Sequence, residues 1–230
     1  MLKAFHPVPA VADDYGHVRA NGMWYQSWQS GYQDILKRGL PRPSDPRTIL
    51  AELHSPNVPS FLHGHTAQVP FLVTSEARLI LEDEELTGLD FSPVIVAKLA
   101  TKGERRRSSS SGEPEDVILK SRAADPARAP TLHAVFVTGL VEVRPDFPSG
   151  RDPAGWVSPF EPISDASRVD LWRPSIGGQP FAAWAFCSER FRRVCEQHEL
   201  TNIAFTPLDR FMDDLRSRRH SGVSEPERSD

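Results

Sequence analysis

The chain has little cysteine: two residues, Cys187 and Cys195, eight positions apart in 230. A small disulfide-stapled scaffold needs more thiols than that, and a reducing compartment keeps thiols free. Both cysteines therefore read as small buried apolar side chains. No run approaches the ~18 apolar residues of a transmembrane helix. The start of the chain has no apolar signal core, and Leu2 follows Met1 where a myristoylation signal has glycine. No membrane association and a cytoplasmic location are expected. Positive charge is also short, with 27 Lys and Arg against 31 Asp and Glu for a net −4. That balance argues against nucleic acid as a partner.

Catalytic signatures are missing as well. Gly177-Gly178 has neither the spacing nor the lysine of a phosphate-binding loop. There is no Gly-X-Ser-X-Gly elbow and no His-Glu-X-X-His helix. His54, His63 and His65 stand close together, yet no cysteine or carboxylate framework beside them completes a metal site. They read as part of a polar loop. No catalytic residue, metal or cofactor is expected.

What is present is a stretch that occurs twice. The first copy reads Val69-Pro70-Phe71-Leu72-Val73-Thr74-Ser75-Glu76, a helical run, then Leu86-Thr87-Gly88-Leu89-Asp90-Phe91-Ser92-Pro93. The second reads Phe186-Cys187-Ser188-Glu189, a helical run, then Leu200-Thr201-Asn202-Ile203-Ala204-Phe205-Thr206-Pro207. Thr74-Ser75 and Ser188 are N-cap residues. Ala77, Ile80 and Leu81 form an apolar stripe at i, i+3 and i+4, matched 114 positions later by Phe191, Val194 and Cys195. Gly88 stands where the chain must turn back into a strand, and Asn202 replaces it with the next residue best suited to a left-handed backbone.

Each copy predicts strand, helix, turn and strand. The fold class is α/β or α+β: two such repeats in a mixed sheet, with additional antiparallel strands at 117–119 and 131–143 and long loops. Gly139 is expected to bend the second of these. Pro46 and an Asp45 or Ser44 cap suggest a short helix over 46–53. Residues 1–212 read as one globular domain, with two lobes at 1–100 and 115–212 as the alternative division. The arginine- and serine-rich 102–114 would be a flexible loop. A terminal helix is expected around 211–215 and a disordered tail over 213–230.

Asp170-Leu171-Trp172, the strand-like 181–186, Ser188-Glu189-Arg190-Phe191, Leu200 and Phe205 resemble the ending of the double-CxxCG-motif proteins. These are paralogues abundant in myxobacteria, some of them immunity proteins against polymorphic toxins delivered between sibling cells. The resemblance spans residues 65–100 and 160–210, with a weaker hint at 24–28. The knuckles that name the family are absent: the regions near 22–31 and 150–156 contain no cysteine. A zinc ion held by four thiolates is therefore not implied, and packing by Trp24, Trp28 and Trp156 would stand in its place.

The resemblance implies an immunity-type protein that neutralises a cognate toxin by occlusion, without chemistry. Two segments are candidate partner-binding sites. The aromatic residues Trp24, Tyr25, Trp28 and Tyr32 suit interface anchors, or else a satellite core. The acids Glu82, Asp83, Glu84 and Glu85 suit docking of a basic partner, or else a solvated helix end. A histidine-containing enzyme site and a subunit of a larger assembly are the alternative functions.

Overall fold

The computed structural model of the chain describes residues 3–9, 49–53, 57–64, 69–99, 128–147, 158–163, 165–180 and 184–220. The repeated stretch forms the expected units. In the first, β4 (Phe71–Thr74) leads into α1 (Ser75–Asp83) and returns as β5 (Leu89–Leu99). In the second, β11 (Phe186–Ser188) leads into α2 (Glu189–Gln197) and returns as β12 (Ala204–Pro207). The Thr74 hydroxyl accepts from Ala77 N–H at 3.2 Å, and Ser188 accepts from Phe191 N–H at 3.1 Å. Ala77 and Leu81 are buried in α1, and Phe191, Val194 and Cys195 in α2.

The backbone repeats along with the sequence. Glu85 and Gly88 have φ of 49° and 78°, and their counterparts Glu199 and Asn202 have 50° and 62°. Both helices thus end on a left-handed residue and turn through a second one.

The remaining strands are β1 (Ala4–Val8), β2 (Ile49–Leu53), β3 (Phe61–His63), β6 (Leu132–Val137), β7 (Gly139–Pro145), β8 (Phe160–Pro162), β9 (Leu171–Ile176) and β10 (Gln179–Pro180). The larger sheet has the order β12-β1-β11-β9-β7-β8, with β10 added to β9. The smaller has β2-β5-β6-β4-β3. The β2–β5 and β7–β9 pairs are parallel and the others antiparallel. The fold is α+β.

Within each repeat the two strands do not pair with each other. A third strand from elsewhere in the chain lies between them. In the first copy it is β6, with His133 opposite Val73 and Val135 opposite Phe91. In the second it is β1, with Phe5 opposite Cys187 and Pro7 opposite Phe205. These registers are equivalent, so β1 and β6 play the same part. Strands are thus exchanged between 1–100 and 115–212: β1 pairs within the later repeat and β6 within the earlier one.

Side chains from both copies meet in one core, including Phe61, Phe71, Leu81, Leu171, Phe191 and Cys195. Phe61 meets Phe191 edge to face at 6.5 Å, a geometry aromatic pairs favour. Two further clusters cover the outer faces. Leu53, Leu72 and Ala134 lie on the smaller sheet, and Trp172, Phe186 and Met212 on the larger.

Four local expectations are corrected. Residues 49–53 form β2 rather than part of a helix, because parallel pairing with β5 buries Ala51 and Leu53. The run 131–143 is two strands in different sheets, broken at Thr138. There Thr138 and Gly139 both donate to the Gly88 carbonyl, at 2.9 and 3.0 Å. A Cβ on Gly139 would sit 2.3 Å from the Leu171 carbonyl oxygen, so only glycine lets the strands cross this closely.

The terminal helix α3 runs from Leu208 to His220, so 213–220 is helical where a tail was expected. Phe211, Met212 and Leu215 pack on the core, and Arg216 bridges Asp213 and Asp146, which extends the helix past its apolar stripe. His63 lies in β3 rather than in a loop. The strand at 117–119, the loop 102–114, Trp156, His54 and His65 lie outside the described residues.

The repeat makes a test possible. At Gly88 an added Cβ would stand 2.1 Å from the Leu171 carbonyl oxygen. At Asn202 the equivalent spacing already admits a side chain, which donates to the Phe61 carbonyl at 2.9 Å. Gly88→Asn is expected to cost at least about 2 kcal/mol even though the other copy carries asparagine. Asn202→Gly should cost only about 1 kcal/mol. Urea unfolding of both variants decides; equal losses would contradict the difference in spacing.

Candidate functional site

Asp170, one of the few polar side chains buried among the described residues, is 4% exposed and gathers hydrogen bonds from both repeats. Its carboxylate accepts from Thr87 N–H at 2.9 Å, Thr87 hydroxyl at 3.1 Å, Ser188 hydroxyl at 2.7 Å and Arg190 at 3.1 Å. Arg190 reaches on to the carbonyls of Glu84 and Glu85, capping the C-terminus of α1 from the other repeat. The residues that carry the sequence resemblance (Asp170, Ser188, Arg190) are thus one hydrogen-bonded node. Phe191 lies in the core beside it. Their work is to join the two copies.

The junction is reciprocal. Leu171 N–H donates to Thr87 carbonyl at 3.0 Å, and Phe61 N–H donates to Thr201 carbonyl at 3.2 Å. Thr87 and Thr201 are equivalent, as are Leu171 and Phe61 by their pairing with Cys187 and Val73. Each repeat therefore clamps the strand beside the other's helix. Contacts exchanged in this way define a pseudo-two-fold axis.

Glu84 and His198 occupy equivalent positions and touch, Nε2 to Oε1, at 2.8 Å, which places them at that axis. Here the candidate acids take shape. The C-termini of α1 and α2 meet, neither with a basic residue in its last turn. Glu82, Asp83, Glu85, Glu196 and Glu199 are all exposed around them. Glu82 is paired with Arg78 at 2.9 Å, and Glu196 with Arg192. Asp83, Glu85 and Glu199 have no ion-pair partner among the described residues.

The C-terminus of α2 adds partial negative charge at this end, while that of α1 is capped by Arg190. The run at 82–85 is thus half of a larger acidic ridge. Sequence reading found that half and missed Glu196 and Glu199. The signal was available, since both sit 114 positions after Glu82 and Glu85. The other candidate segment, Trp24, Tyr25, Trp28 and Tyr32, lies outside the described residues.

Ser75 hydroxyl lies 3.2 Å from His133 Nε2, the one serine–histidine contact among the described residues. Arg78, which can only donate, lies 3.3 Å from His133 Nδ1. That fixes Nδ1 as the acceptor and Nε2 as the donor, so His133 cannot take the serine proton as a general base would. Burial and Arg78 lower the pKa of His133, against a small opposing effect of Glu82. Among the described residues no group of His, Cys, Asp and Glu is placed to hold a metal ion. Cys187 and Cys195 are buried and free, and burial pushes the Cys195 thiol up to about 12. Neither is a nucleophile at neutral pH.

Two measurements check these assignments. Asp170→Ala strands Thr87, Ser188 and Arg190 without their acceptor, and should cost about 3–4 kcal/mol in urea unfolding. A loss below about 1 kcal/mol would contradict the node's role.

The second concerns His6, whose ring lies between Phe186 and Phe211 and whose Nδ1 is 2.9 Å from Ala185 carbonyl. Burial lowers its pKa, and the hydrogen bond opposes this only in part. The unfolded chain then binds more protons, so stability is complete above the unfolded value of about 6.5 and falls as pH drops through the folded one. His6→Phe should flatten the decline between pH 7.5 and 5; an unchanged slope would assign it elsewhere. In comparisons with protein-family models and curated proteins, nothing matches the chain.

Proposed function

We propose that the chain is an immunity-type binding protein that neutralises a cognate toxin by occluding it. The observation that carries this reading is the acidic ridge. Two helix C-termini and the unpaired carboxylates of Asp83, Glu85 and Glu199 gather on one exposed end. Such a surface complements a basic protein, of the kind a nuclease presents to nucleic acid, and steers it into contact. The resemblance over residues 65–100 and 160–210 to a family that includes immunity proteins supplies the class of partner.

Neutralisation by this route needs no bond to be made or broken. The ridge would cover the toxin's basic face, and the aromatic segment Trp24, Tyr25, Trp28 and Tyr32 would supply apolar anchors. No cofactor takes part. The chain would act in the cytoplasm, where a toxin arriving from a sibling cell does its damage. Helices long and apolar enough to cross a membrane are absent from the described residues, which agrees with that setting.

Co-expression with the protein encoded by the adjacent gene tests the proposal, with relief of growth arrest as the expected outcome and undiminished arrest as the contrary one. A sharper measurement uses Asp83→Lys, Glu85→Lys and Glu199→Lys together. The triple variant should fold normally, and its association rate with the toxin should fall about 10- to 100-fold at low salt. An unchanged rate would remove the ridge from the interface.

A further inference from the structure

On the larger sheet a row of side chains along β9, β7 and the end of β8 is only partly covered. Along β9, Leu171 lies in the shared core and Trp172 in the outer cluster, so alternation puts Arg173 and Ser175 on the same face as Leu171. The parallel register sets Leu140 of β7 beside Arg173 and Glu142 beside Ser175. The Ser175 hydroxyl donates to Glu142 at 2.8 Å, which confirms that these side chains share a face. Ile163, whose N–H donates to Glu142 carbonyl at 2.9 Å, continues the row beyond β8. Leu140 and Ile163 are 39% and 62% exposed, two of the few large apolar side chains left in solvent among the described residues.

The charges on this face are matched, with one exception. Glu142 accepts from Ser175 and from the Gly177 and Gly178 N–H groups, which fastens the turn between β9 and β10. Arg144 pairs with Glu161 at 2.9 Å. Arg173 makes no hydrogen bond or ion pair among the described residues, and its Nε is buried without an acceptor. Burial lowers its pKa, with no carboxylate to offset the lost water. This half-buried guanidinium, beside Leu140 and without a carboxylate of its own, is a ready fork for one.

We propose that this face binds an extended segment of another protein, in which an Asp or Glu lies between apolar side chains. The carboxylate would take both arms of Arg173, and the flanking side chains would rest on Leu140 and Ile163. A single free cation favours a single charge, and Glu142 and Glu161 on the same face repel a polyanion such as nucleic acid. It calls for an acidic segment, whereas the acidic ridge is proposed to take a basic partner.

The test uses fluorescein-labelled octapeptides of alternating Thr and Val with one central Glu, or Gln in its place, and a labelled dT oligonucleotide. Anisotropy titrations with the full chain should show the Glu peptide binding about tenfold tighter than the Gln peptide. Arg173→Gln should remove that preference, and Leu140→Ser should weaken both peptides alike. Arg173→Leu, which removes an unpaired charge, should be at least as stable to urea as the original chain. Equal affinity for the two peptides, no binding of either, or preference for the oligonucleotide would each overturn the proposal. So would a destabilised Arg173→Leu, since it would show that the guanidinium already has a partner.

Discussion

One carboxylate holds the two halves of this protein in register. Asp170 draws in the Thr87 turn of the first repeat and the Ser188 cap of the second, and Arg190 carries the link on to the end of α1. At the equivalent place across the pseudo-two-fold stands Ser60, whose N–H and hydroxyl meet Thr201 Oγ1 at 2.9 and 3.2 Å. The same junction is therefore built twice, once with charge and once without. A buried carboxylate with four donors tolerates no missing partner, whereas the neutral version is the more forgiving. The charged half fixes the geometry, and the shared core of Phe61, Phe71, Phe191 and Leu81 supplies the hydrophobic stabilisation.

The consequence for function is an economy of surfaces. Arg78 and Arg192, also equivalent, stack over Phe91 and Phe5 at 5.7 and 5.2 Å and each pair with a glutamate four residues on. These cations serve the packing of helix on sheet and leave the helix ends acidic. The pseudo-symmetry then doubles the effect, bringing two acidic helix C-termini to one axis. A duplicated scaffold thus extends a run of four carboxylates into the acidic end proposed to meet a partner.

Much of the repeat was legible in the sequence because local rules govern it. Caps at Thr74 and Ser188, the stripes on both helices and the left-handed turn at Gly88 and Asn202 depend on neighbours a few positions away. What the sequence concealed depends on distant partners. Residues 49–53 carry helix-compatible composition, and only pairing with β5 makes them a strand. The strand inserted into each repeat comes from more than 30 positions away, from β6 in one case and β1 in the other. No periodicity marks that exchange. The acid run was visible as composition, but its extension by Glu196 and Glu199 required knowing that the helices meet end to end. Likewise the motif of Asp170, Ser188 and Arg190 read as a family signature, and its physical role as a structural node appeared only in three dimensions.

The central claim is that the pseudo-two-fold scaffold presents an acidic ridge as its partner-binding surface. Hydrogen–deuterium exchange of the chain, alone and mixed with the protein encoded by the adjacent gene, tests it most directly. The account predicts added protection of amides at 82–85 and 196–199 in the complex, with the node around Asp170 already protected in the free protein. Complex formation that leaves both segments exchanging at their free rates would contradict it.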